Sequence, residues 1–155
     1  MVFSGLNEYN QDNQAIDIKT KLQQGQLLIV NPRRKNGLIL VKKYHGEFAG
    51  PGSVVGSWFD PDLERVIPVG NLDLIKPRTP QEKQRGYLIR RQWVKLIKQI
   101  TDNPIPQERA QVILNQFENW FDTETAAQLP DEVFALLVGV LPQTIRKERD
   151  LVNRL

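Results

Sequence analysis

The chain changes its period once, across Lys76-Pro77-Arg78-Thr79-Pro80-Gln81, and no other feature limits the fold so strongly. Before that point, from about residue 22, apolar residues come in short β-rich runs: "GQLLIVNP", "NGLILVKKYHGEF" after an Asn-Gly pair, "GPGSVVGSWFDPD" and "ERVIPVGNLDLIKP". Runs bounded by Asn-Gly, Gly-Pro-Gly and Asp-Pro-Asp read as short strands and tight turns. After it, the spacing becomes helical. Ile89, Trp93, Leu96, Ile97 and Ile100 fall on one stripe, and Ala110, Ile113, Leu114, Phe117, Trp120 and Phe121 on another. Recurrence at three, four and seven residues is the mark of a helix with one buried face. Pro106 suits the first turn of the second of these helices, and a short helical turn is expected around Ala126.

The expected fold class is therefore α+β. A small β-barrel spans 21–77, and an α-helical domain spans 80–155, with a basic, Pro-containing linker between them. Four or five strands at roughly ten-residue spacing are too few for a sandwich, which favours the barrel. Residues 1–20, rich in Asn, Gln and Asp with few apolar anchors, read as a flexible polar arm.

Composition narrows the function. The chain has no cysteine, which excludes disulfides and thiolate metal sites, and its single histidine, His45, cannot build a His-rich metal centre. No nucleophile–base pair or metal constellation is visible, so no catalytic residue, cofactor or metal is expected. No apolar run approaches the ~20 residues of a membrane span, and the N-terminus has neither the basic nor the apolar region of a secretory signal. A cytoplasmic protein is expected. The formal net charge is +3, but its distribution is uneven: residues 81–100 hold six Lys/Arg against one Glu. Clustered positive charge is what phosphate binding uses, and equally what a solvated helix face displays.

Within the β region, the run Gly46-Glu47-Phe48-Ala49-Gly50-Pro51-Gly52-Ser53-Val54-Val55 resembles the glycine-rich hairpin of KOW and other SH3-like small barrels. "VIPVGNLDLI" resembles their closing strands. The resemblance covers about 55 residues and implies an SH3-like barrel able to bind RNA, DNA or protein; fold alone does not choose among them.

The last stretch, "LPDEVFALLVGVLPQTIRKERDLV", meets the physical needs of two helices joined by a tight turn. Ala135 is small where a second helix would cross. Gly139 stands where a left-handed turn residue belongs, and Pro142 can open a helix without losing a hydrogen bond. Phe134, Val138, Val140 and Ile145 are the apolar locks. The pattern A-x-x-x-G-V-x-x-x-T-[IV]-R resembles the helix-turn-helix superfamily of DNA-binding regulators over about 22 residues, within 130–152. The resemblance implies a DNA-binding transcriptional regulator. Gln143, Thr144, Arg146, Lys147 and Arg149 would be its recognition-helix contacts, while Arg90, Arg91 and Lys95 of the preceding basic helix would hold the backbone. Three positions depart from the family: Glu148 replaces an apolar lock, and Leu136 and Leu137 stand where polar residues are usual. Those leucines need cover, from helix 107–121 or from a second subunit. A single such helix binds weakly, so a homodimer reading half-sites ~34 Å apart is the natural arrangement.

Other features have plainer readings. Arg33, Arg34 and Lys35 make a basic hairpin tip; Trp58 and Phe59 are either core or a stacking platform; Asp60, Asp62 and Glu64 lack the pattern of a calcium loop. The rival to DNA binding is a protein-interaction adaptor in which the barrel docks a partner protein and the helices form a bundle or dimer. RNA binding through the barrel is a third reading.

Overall fold

The computed structural model describes the backbone of residues 2–153 and the side chains of 13–152. Residues 1, 154 and 155, the outermost of the expected arm and helical region, lie outside the described residues. The chain is α+β. Helix α1 spans Val2–Gln23. Six strands follow: β1 (Leu27–Val30), β2 (Asn36–Val41), β3 (Gly46–Ala49), β4 (Val54–Gly56), β5 (Arg65–Gly70) and β6 (Leu74–Ile75), with a 3-10 turn at Ser57–Phe59. The helices α2 (Pro80–Thr101), α3 (Pro106–Trp120), α4 (Thr123–Gln128), α5 (Asp131–Val138) and α6 (Pro142–Asn153) complete it.

The strands do not close into the expected barrel. They form two antiparallel three-stranded sheets, in the orders β4-β1-β6 and β3-β2-β5. The physical reason is written in β2, where all six residues are buried. Leu38 and Leu40 point, with Ala49 and Val66, toward the first sheet and α1. Ile39 and Val41 point, with Phe48 and Val69, toward the helices. The register agrees: Ile39 stands opposite Phe48 and Ile67, and Leu38 opposite Ala49. A strand buried on both faces reads as an unbroken apolar run, here Leu38-Ile39-Leu40-Val41. The second sheet is thus a middle layer between the first sheet and the helices.

Residues 2–20, expected as an arm, belong to α1. Its C-terminal part is anchored by buried Ile18 and Leu22 against the strand core. Two anchors one turn apart are a small sequence signal, but they suffice once a sheet offers them a face.

The Asn-Gly pair is not a hairpin turn. Asn36 and Gly37 lie inside β2, paired with Gly70 and Val69. Fully buried Asn36 instead ties three segments together. Its Nδ2 donates to the carbonyls of Asn31 and Arg34, both at 3.0 Å, and its Oδ1 accepts from the Asp73 amide at 2.9 Å. The glycine-rich run is the seat of α2. A Cβ at Gly50 would strike Trp93, one at Gly52 would lie 2.8 Å from Ile89, and one at Gly86 would strike Val54. Close approach of a helix to a loop needs those positions bare.

Helix α2 starts as a capping box. Thr79 Oγ1 accepts from the Glu82 amide at 3.1 Å, and Glu82 accepts from the Arg78 amide at 2.7 Å, with Pro80 opening the helix. The helical layer and the middle sheet share one core. Phe48 of β3 meets Trp93, Phe117, Trp120 and Phe121, with ring centroids 4.9–6.0 Å apart. The linker therefore marks a change of secondary structure within a continuous core.

Candidate nucleic-acid interface

The expected C-terminal pair forms. Gly139 ends α5 in the left-handed conformation, φ 67°, and both its amide and that of Val140 donate to the Ala135 carbonyl, at 2.9 and 3.1 Å. Arg109 of α3 donates to the Gly139 carbonyl at 3.1 Å, which fixes the turn from outside. Phe134, Val138 and Ile145 are fully buried in one cluster with half-buried Val140, so the sequence-predicted locks come together. Phe134 meets Phe117 edge to face at 5.1 Å, and α6 packs on α3 and α5.

On α6, Gln143, Arg146 and Lys147 share an exposed face, with Thr144 half-buried beside them. The Arg146 side chain is 76% exposed; its nearest carboxylate, Asp131, is 3.9 Å away. An ion pair of that length and exposure contributes little, so the guanidinium stays available. The departing residue Glu148 is buried and accepts from Gln111 Nε2 at 3.0 Å, so a polar lock to α3 replaces an apolar one.

Two expected contacts are corrected. Arg149 is spent internally. It donates to Asp131 at 2.6 Å and to the carbonyls of Leu129 and Ala126 at 2.7 and 3.0 Å, and lies 4.9 Å over the Phe134 ring. It ties α6 to the end of α4 and the start of α5 because it meets helix-end carbonyls there, which have acceptor capacity to spare. Arg90, 2% exposed, is not a phosphate contact either. It donates to Glu47 at 2.6 Å, to Asp60 at 3.0 Å and to the Val54 carbonyl at 3.0 Å. Arg91 and Lys95 of α2 are exposed, as expected.

Leu136 and Leu137 are covered within the chain. Leu137 is buried and Leu136 half-buried, and both lie against Gly46 at the start of β3.

Around Arg90 the structure builds an ion network that sequence spacing could not reveal, since its members lie far apart in the chain. Lys42 Nζ stands 3.2 Å from Asp60, 3.5 Å from Glu47 and 3.4 Å from Asp62. Asp60 also accepts from the Gly56 amide at 2.8 Å. Burial alone would raise the Asp60 and Glu47 carboxyls, but Arg90, with Lys42 and with the Gly56 amide at Asp60 and His45 at Glu47, together outweigh it and hold both below the ordinary carboxylate range. The acidic group "DPDLE" is thus partly an internal counter-charge.

This network fixes the 3-10 turn to α2 and with it an aromatic stack. Trp58, 69% exposed, lies on Phe59 at 4.1 Å, and Phe59 on Tyr87 at 4.8 Å. His45 is exposed, with Nε2 3.1 Å from Glu47. Among the described residues no group of three or more His, Cys, Asp or Glu could hold a metal, and no helix is long and apolar enough to cross a membrane. Comparison with protein-family models, with curated proteins and with solved structures finds no match to this chain.

Proposed function

We propose that the protein is a non-enzymatic DNA-binding regulator that presents α6 to the major groove. The observation that carries this reading is the shared exposed face of Gln143, Arg146 and Lys147 on a helix whose opposite side is locked by Ile145 and Glu148. Amide and guanidinium side chains are the types that read base edges bidentately. Arg91 and Lys95 would add sequence-independent phosphate contacts. Arg149 acts one step back, by holding α6 against α4 and α5. The interface on one chain is small, so a homodimer is part of the proposal. Exposed Leu141, Leu151 and Val152, 67%, 48% and 62% exposed, offer apolar surface at both ends of α6 for a second copy.

The test is duplex binding over a salt series. Each lost phosphate contact should flatten the slope of log K against log salt by about 0.9. Arg146→Ala with Lys147→Ala is expected to lose affinity and slope together, at unchanged thermal stability. Unaltered binding by that variant rejects α6 as the reading helix.

The same exposed leucines and the exposed Trp58 favour a second reading, a protein-interaction adaptor. Under it the parent protein shows no salt-dependent duplex binding at all, and Leu151→Asp with Val152→Asp abolishes a protein contact rather than a DNA contact.

A further inference from the structure

A cleft of about 890 Å³ opens between the β1–β2 loop, the β6–α2 linker and the N-terminal half of α2. Its rim carries Arg33 from the loop, Lys76 and Arg78 from the linker, and Arg85 from the helix. In sequence these are three unrelated features: a hairpin tip, a basic linker and a helix face. Asn36 is one reason they meet, because it pins the β1–β2 loop to the turn before β6. All four cationic side chains are exposed, and none makes a hydrogen bond or ion pair with the described residues. The one carboxylate on the rim, Glu82, is engaged with the Arg78 amide as part of the helix cap.

Four cations against one carboxylate leave an excess of positive charge around one concavity and focus a positive potential into it. An anion relieves that excess. The floor is of another kind: Ile29, Ile75 and Ile89 line it, beside the backbone of Gly52 and Gly86 where α2 settles on the β3–β4 loop. A flat apolar ring can lie against such side chains while its charged group reaches the rim. The volume falls in the range of small-ligand sites, roughly 300–1,000 Å³. We infer that this cleft binds a nucleotide-class phosphate ester, with the phosphates between the guanidiniums of Arg33, Arg78 and Arg85 and the flat base over the isoleucines. Guanidinium forks match phosphate oxygens two at a time, which suits Arg more than Lys at three of the four rim positions. This inference stands apart from the duplex-binding reading and uses none of its residues.

The test is calorimetric titration of the full chain with ATP, GTP, CTP and UTP, with inorganic triphosphate and a twelve-residue oligothymidylate as comparators. At least one nucleoside triphosphate is expected to bind more tightly than inorganic triphosphate. Arg78→Ala with Arg85→Ala should weaken that binding at least tenfold, and Ile75→Ser should weaken the nucleotide but not inorganic triphosphate. These side chains are exposed, so an unchanged circular dichroism spectrum and melting temperature check that the variants fold. Arg146→Ala with Lys147→Ala should bind nucleotide like the parent, which separates failure of this site from failure of α6. The inference is overturned if none of the four triphosphates binds, if the double arginine variant binds as the parent does, or if inorganic triphosphate binds as tightly as the nucleotides. Capture of the oligothymidylate alone, lost with the same arginines, also overturns it and makes the cleft a polymer site.

Discussion

Asp60 illustrates what a single buried charge does here. Its side chain is inaccessible to solvent, yet it serves Arg90, Lys42 and the Gly56 amide at once. The ring of partners explains why a charged residue can sit beneath an aromatic stack. Asp60→Asn keeps the shape and removes the charge, leaving Arg90 and Lys42 undercompensated in a buried site. Loss of one partner in such a network costs about 3–5 kcal/mol, so urea unfolding should shift by that amount; a shift under 1 kcal/mol would mean the network is not balanced on Asp60. The pH dependence has a definite sign. Asp60 and Glu47 are held below their unfolded values, so their stabilisation is complete above the ordinary carboxylate pKa near 4 and is lost as pH falls through the depressed folded values. The parent should therefore lose stability as pH drops below about 4, and Asp60→Asn should lose less over the same interval. Arg90 shows the limit of sequence reasoning at this scale. Its charge grouped it with the exposed cations, although it stands seven residues before buried Ile97 at the edge of the buried stripe, and its distant partners in β3 and after the 3-10 turn supply the counter-charge that lets it stay there.

At the scale of elements, α2 and α3 were legible because each carries an apolar stripe on one side and has proline chemistry at its start, whereas α1, with few apolar anchors, read as an arm. The turn at Gly139 and its locks were legible for the same reason: local spacing alone determines them. Less was visible where an element's role depends on what lies across from it. The apolar run of β2 could have signalled a strand covered on both faces, but the short strands around it pointed to a barrel. The glycines at 50 and 52 looked like hairpin residues, whereas α2 rests on both, with its own Gly86 set against Val54. That seat makes a prediction. In a helix interior, Gly→Ala normally gains up to about 1 kcal/mol, but at Gly86 the new methyl would strike Val54, packed beneath it. Overpacking of that kind costs about 1–3 kcal/mol. Gly86→Ala should therefore destabilise despite its better propensity, and Val54→Ala in the same chain should restore part of the loss. Thermal denaturation of the parent and the two variants decides it; a stabilised Gly86→Ala would show that α2 has room to lift.

At the scale of the molecule, the question is whether the β region stands alone, as a boundary near the linker would suggest. Its middle sheet turns Ile39, Val41, Phe48 and Val69 toward the helices, and Phe48 alone touches three aromatic rings of α2 and α3 and that of Phe121 just after α3. A fragment of residues 1–77 would expose that entire face to water. At roughly 25 cal/mol per Å² of apolar surface, and with about 150–250 Å² for a large aromatic ring, Phe48 by itself forfeits several kcal/mol, a large part of the 5–15 kcal/mol that holds a domain together. The fragment is therefore expected to lack a fixed fold, giving an amide spectrum of narrow dispersion, while the full chain unfolds in one step. The tryptophans report from both sides of the linker: Trp58 sits in the β region, and Trp93 and Trp120 in the helices. Fluorescence and far-ultraviolet circular dichroism should consequently trace the same transition in urea. Two separated transitions, or a well-dispersed spectrum from residues 1–77, would establish independent modules. Because α2 and α6 both pack on α3 and α5, anything that binds the cleft between the β1–β2 loop and α2 must also stabilise the platform that carries α6. Nucleotide should then raise the melting temperature read by every probe alike, by mass action on one folding equilibrium.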